Sequence, residues 1–179
     1  MDIYLQNTII DDLQFTDADI SLYVALRSLY QSTRIEQVIT FNMIMYELYG
    51  STGFKRAAQE KIGESFKKFA DMELITVKEK FPGNEYVVDL SNIYFEGGIG
   101  SYYTVIRDSE VHTIMNMDNK MDKFKLLRYY IVCLESINKS QGVYEDQRGN
   151  QKTNFVGFMP KDFLCKKIGI NYETCKSYI

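Results

Sequence analysis

The sequence predicts a mainly α chain with small β-hairpins, an α+β fold, and three observations carry that prediction. In "STGFKRAAQEKIGESFKKFADMELITV", Phe54, Ala58, Ile62, Phe66 and Phe69 recur at helical spacing and make one continuous apolar stripe. "ELITVKEK" then alternates as a strand, "FPGN" supplies Pro and Gly in turn order, and "EYVVDL" reads as the returning strand. Upstream, "YLQNTIIDDLQFTDADISLYVALRSLY" opens on a β-prone stretch and continues as a capped helix. Three helices followed by a hairpin are the parts of a winged helix-turn-helix, with the last helix as reader and the hairpin as wing.

Each element has a local reason. Thr16 followed by Asp17 and Asp19 suits a helix N-terminus, by capping and by the helix dipole. Ile20, Tyr23, Val24 and Leu26 supply the apolar stripe of that first helix. "QSTRIEQVIT" reads as a connection with β-branched residues at its end, and "FNMIMYELYGS" as a short apolar helix ended by Gly50. Ser51 or Thr52 is the expected cap of the third helix. Gly97, Gly98, Gly100 and Ser101 form the glycine-dense stretch and place a hinge.

The second half repeats the first in its apolar spacing. "DKFKLLRYYIVCLESI" carries apolar Phe124, Leu126, Leu127, Tyr130, Ile131 and Leu134, a spacing that matches Ile20, Leu22, Tyr23, Leu26 and Leu29 at an offset near 104. The polar insertion "NKSQGVYEDQRGNQKTN" reads as a mobile loop or long hairpin. A helix over Lys161 to Lys167, started by Pro160, leads into a Gly-Ile-Asn turn and the first residues of another helix. The expected organisation is a winged-helix domain over 1–96, a hinge over 97–101 and a second winged-helix-like domain over 102–179. The second copy lacks most of its recognition helix and its wing, which occupy Thr52 to about Leu90 in the first. The chain is therefore expected to be a fragment of a longer protein.

Charge is unevenly spread. Residues 1–50 carry 2 basic and 7 acidic side chains, whereas 52–80 carry 7 and 5, and 138–179 carry 7 and 4. The net charge of −3 thus conceals two locally basic segments, and both hold helix-turn-helix candidates.

Much chemistry is excluded by residue type. His112 is the only histidine and no Cys-x-x-Cys occurs, so neither a paired-histidine nor a zinc-type metal site is expected. Gly100 is followed by Ser-Tyr-Tyr, which breaks a phosphate-loop motif, and the dinucleotide fingerprint lacks its third glycine. The pairs Tyr102–Tyr103 and Tyr129–Tyr130 have no activating partners and read as packed aromatics. Asp11–Asp12 reads as a solvated edge. No enzyme activity and no cofactor are expected. Cys133, Cys165 and Cys175 read as free thiols of a reducing, cytoplasmic setting. No apolar run long enough to span a membrane occurs, and "MDIYLQNTIIDDLQF" is no secretory signal.

The order of "FTDADISLYVALRSLY", the basic helix "FKRAAQEKIGESFKKFADMELITV" with its Leu-Ile exit into a hairpin, and a second such start is similar to replication initiators of plasmids and phages. It also resembles the N-terminal domains of DnaD-like primosomal proteins. The resemblance implies recognition of duplex DNA at an origin, often by a homodimer and alongside other replication proteins.

The physical mechanism expected is a helix in the major groove with lysines and arginines on phosphate. In the first half the candidates are Lys55, Arg56, Gln59 and Lys61 on the helix, with Lys78 and Lys80 on the hairpin. In the second half they are Lys166, Lys167, Asn171, Tyr172, Thr174, Lys176 and Ser177. Two alternatives stand beside a replication initiator: a transcriptional regulator with the same parts, and a dimerisation or protein-interaction module without DNA affinity.

Overall fold

The computed structural model describes residues 1–30, 36–93, 103–139, 143–145, 151–153, 161–169, 171 and 173. Strand β1 (Asp2–Gln6) leads through the short helix α1 (Asn7–Ile10) into helix α2 (Asp17–Leu29). Strand β2 (Glu36–Thr40), helix α3 (Phe41–Tyr49) and helix α4 (Arg56–Asp71) follow. Strands β3 (Thr76–Phe81) and β4 (Glu85–Asp89) form a hairpin. The second half comprises β5 (Tyr103–Arg107), α5 (Asp108–Met115) and α6 (Lys123–Lys139). A small hairpin, β6 (Val143–Glu145) and β7 (Gln151–Thr153), precedes α7 (Lys161–Ile168). The fold is α+β, and the strand pairs among the described residues are antiparallel.

Helix α2 is the axis of the molecule. It starts with a reciprocal cap, in which Asp19 N–H donates to Thr16 Oγ1 (3.2 Å) and Thr16 N–H donates to Asp19 Oδ2 (2.7 Å). Every residue from Asp19 to Leu26 is buried, because α3, α4, α6 and β1 enclose it from all sides. Helix α3 ends where Gly50 turns left-handed at φ 63°. A side chain there would be strained by that φ and would also meet the His112 ring of α5, 2.8 Å from the position of its Cβ. His112 in turn donates through Nε2 to the Glu47 carbonyl oxygen (3.0 Å). The single histidine is thus a packing element joining α3 to α5.

Two local expectations need correction, and one strand had no counterpart in the sequence reading. Helix α4 starts at Arg56, with no side-chain cap, rather than at a cap on Ser51 or Thr52. Phe54 therefore precedes the helix and packs beside Tyr49, ring centroids 6.4 Å apart. The supposed connection before α3 ends in a true strand, β2, whose pairing with β4 gives a three-stranded sheet of order β2-β4-β3. The segment after the glycines contributes another strand, β5.

The repeated apolar spacing coincides with a repeated order of elements: strand, short helix, long helix, in β1-α1-α2 and in β5-α5-α6. The two copies lie together. β1 pairs with β5 about Tyr4↔Val105, and α2 packs on α6. Buried Thr104 donates to buried Asn7 (2.8 Å), so even the polar groups of this seam are satisfied across the halves. The expected hinge lies within residues 94–102, outside the described residues, and the buried core runs through both flanking halves.

Three acidic residues near the start of the chain are paired with cations, two of them across the halves. Asp19, almost wholly buried, binds Lys68 of α4 (2.7 Å), and Asp17 lies 3.5 Å from the buried Arg128 of α6. Asp11 and the fully buried Glu135 both hold Lys167 of α7. Burial pushes the Asp19 carboxyl up, but the bonds from Lys68, Ser65 and Thr16 outweigh it and hold the group below the ordinary aspartate range. At Asp17 burial prevails over Arg128 and Lys125, and the carboxyl titrates above that range. No helix among the described residues is long and apolar enough to cross a membrane.

Candidate nucleic-acid interface

Helix α4 and the β3–β4 hairpin enclose a groove of about 510 Å³. An aromatic wedge sets its width. Phe41, Phe66 and Tyr86 meet with centroids 5.0–5.6 Å apart, which docks α4 against the hairpin. Gly63 permits the close approach, since a Cβ there would lie 3.2 Å from the Phe41 ring. At the tip, Gly83 (φ 84°) and Asn84 (φ 60°) take the left-handed conformations that a tight three-residue turn requires.

The groove presents polar side chains at helical spacing. Arg56, Gln59, Glu64 and Lys67 come from α4, while Lys80 and Asn84 come from the hairpin. Gln59 donates to Asn42 Oδ1 (3.2 Å), which orients both amides. Lys80 Nζ sits 5.7 Å from the Tyr86 ring centroid, a cation–π contact that holds the ammonium at the rim. The register slips between Val77 and Glu79, leaving Lys78 as the extra residue of a β-bulge. Arg56 pairs with Glu60 (3.0 Å), but with side chains 90% and 62% exposed that contact contributes little.

The start of α4 runs against the pattern that stabilises helices. No acidic residue lies in its first turn and no side chain caps it, yet Lys55 and Arg56 place two cations at its positive end. A bound phosphate would satisfy both the free N–H groups and the two cations. This local disfavour is the kind that binding sites carry.

The structure sorts the expected site residues into four groups. Arg56, Gln59 and Lys80 share the groove, with exposed Lys78 beside it on β3. Lys55 and Lys61 fall on the adjoining face of α4, where Lys61 pairs with Asp122 (3.2 Å) and approaches the Phe124 ring (6.0 Å). Lys166 and Asn171 are exposed near the end of α7, and Tyr172, Thr174, Lys176 and Ser177 lie outside the described residues. Lys167 is a correction: it is buried between Asp11 and Glu135, so its charge cannot reach phosphate.

Sequence reasoning left Asn42, Lys67 and Asn84 out of the site. Lys67 follows Arg56, Glu60 and Gly63 on one helical face, so its spacing carried the signal. Asn42 has no such signal, because tertiary packing alone brings α3 to Gln59. No cluster of three or more metal-ligating side chains occurs among the described residues. Comparison with family models, curated proteins and solved structures returns no match.

Proposed function

We propose that this chain binds duplex DNA through a winged helix formed by α2, β2, α3, α4, β3 and β4, and serves as a replication initiator of a plasmid, phage or other mobile element. The supporting observation is the start of α4, where two cations occupy an uncapped positive helix end beside a lysine-bearing hairpin. In this reading α4 lies in the major groove. Gln59 and Asn42 face base edges as a paired amide unit, Glu64 is able to accept from a cytosine amine, and Lys78 and Lys80 take phosphate. Part of the acidic charge of the N-terminal third is spent on internal partners, since Asp11, Asp17 and Asp19 pair with Lys167, Arg128 and Lys68.

Lys55→Ala with Arg56→Ala is expected to weaken binding to a mixed-sequence duplex and to lower the slope of log K against log salt by about 2, since each phosphate no longer neutralised removes about 0.9. Fluorescence anisotropy over a salt series reads this, and an unchanged slope removes those residues from the interface. Initiation is separated from transcriptional control by asking whether a plasmid carrying the gene and its flanking DNA needs the chain to replicate.

A homodimer fits the same arrangement. β2 is an edge strand, and Val38 (51% exposed), Met43 (40%) and Tyr46 (52%) leave apolar surface on it and on the helix that follows. Sedimentation velocity should show mass rising with concentration, and Tyr46→Glu should abolish that rise; a monomer at every concentration rejects the pairing.

A further inference from the structure

The second half also touches the front of α4. The loop between α5 and α6 runs past its first turn and encloses with it a second groove of about 440 Å³. Lys55 and Lys61 line it from the α4 side, and Lys120 and Lys123 from the loop, around a floor that includes Phe54 and Phe124. Two sets of hydrogen bonds fix the loop in place. Asp122 Oδ1 accepts from the N–H groups of Phe124 (3.0 Å) and Lys125 (3.2 Å), which caps α6. The other oxygen of Asp122 accepts from Lys61 (3.2 Å), an exposed contact between the loop and α4. Lys123 is oriented by the Asn119 backbone carbonyl (3.0 Å), and Lys120 is exposed.

Charge and position together narrow the occupant. Of the carboxylates near this groove, Asp122 is matched by Lys61, and Asp118 stands exposed on the same loop. Lys55, Lys120 and Lys123 therefore give the mouth a positive balance. The groove adjoins the reading face of α4 on the side away from the hairpin, since Lys55, Ala57, Ala58 and Lys61 line this one while Arg56, Gln59, Gly63 and Lys67 line the other. A helix in the major groove has a phosphate wall on each side, and the hairpin lysines can serve only one of them.

We infer that the α5–α6 loop is a second phosphate-binding element, in which Lys120 and Lys123, with Lys55, grip the backbone of the DNA strand opposite the one held by the hairpin. This rests on the reading of α4 as the DNA-reading helix. It makes the second half part of the same interface and gives α4 a phosphate clamp on both flanks.

The test uses the whole chain and a mixed-sequence DNA duplex in an anisotropy salt series. Lys120→Ala with Lys123→Ala is expected to lower the salt slope by about 2, while Lys120→Arg with Lys123→Arg keeps it near the parental value. The same drop in slope is expected from Lys78→Ala with Lys80→Ala, and combining the two pairs should remove about 4. If the loop variant keeps the parental slope while the hairpin variant loses it, the loop is no part of the interface and the reading of α4 still stands. If the parent shows no salt-dependent binding, both ideas fall together. Circular dichroism of the loop variant guards against misfolding, and a folded variant with unchanged slope overturns the inference.

Discussion

Lys167→Ala is expected to destabilise the chain by about 3–5 kcal/mol, the cost of removing one partner from a buried ion pair. The Lys167 side chain is 8% exposed and that of Glu135 is fully buried, so the substitution leaves a carboxylate in the interior without the ammonium that balanced it. Asp11, more exposed, loses the same cation. A surface pair would cost about 1 kcal/mol or less, and a urea midpoint shift of that size would sink the assignment of Lys167 as buried and structural. Lys167→Met with Glu135→Leu should recover most of the loss, because it removes both charges rather than one. If the chain binds DNA as proposed, the salt slope should not change in any of these variants, which separates Lys167 from the lysines proposed to face phosphate.

The second large effect is at Tyr23. Its ring is fully buried in α2, and its hydroxyl accepts the Gln6 N–H of β1 (3.0 Å). Burial, the larger influence, pushes the phenol above its ordinary range, so the hydroxyl stays protonated. Tyr23→Ala is expected to cost about 3–5 kcal/mol through the cavity it leaves. Tyr23→Phe should cost about 1 kcal/mol, the loss of one hydrogen bond to the half-buried Gln6 N–H. Equal unfolding midpoints for parent and Tyr23→Phe would show that the hydroxyl contributes nothing to the seam.

What was legible in the sequence was local. The α4 stripe from Ala58 to Phe69, the "FPGN" turn and the Thr16 cap are each settled by residues a few positions apart, and all three appear in the fold, while Phe54 falls ahead of the helix. β5 was hidden because one of its inward residues is polar: Thr104 is accommodated in the core because Asn7 Oδ1, from the other half, accepts a hydrogen bond from its hydroxyl. β2 was hidden because Val38 and Ile39 are neighbours, one exposed and one buried, which blurs the alternation of a strand. The candidate site followed the same rule. Arg56 and Gln59 were recognisable from helical spacing, whereas choosing between Lys166 and Lys167 required knowing that Glu135 waits beneath the helix. Lys120 and Lys123 gave no signal at all, since only the docking of the second half brings their loop to α4.

The pairing of β1 with β5 also bears on how the chain is made. Gln6, among the first residues to leave the ribosome, pairs with Tyr103, so β1 must wait for a partner not yet synthesised. At about 5–20 residues per second, the delay is roughly 5–20 s. During it the inward Ile3 and Leu5 have no β5 to cover their seam, and the strand edge is open to any other extended chain. Nascent chains on one message are therefore at their most adhesive in that interval, and slow translation of the 94–102 stretch would lengthen it.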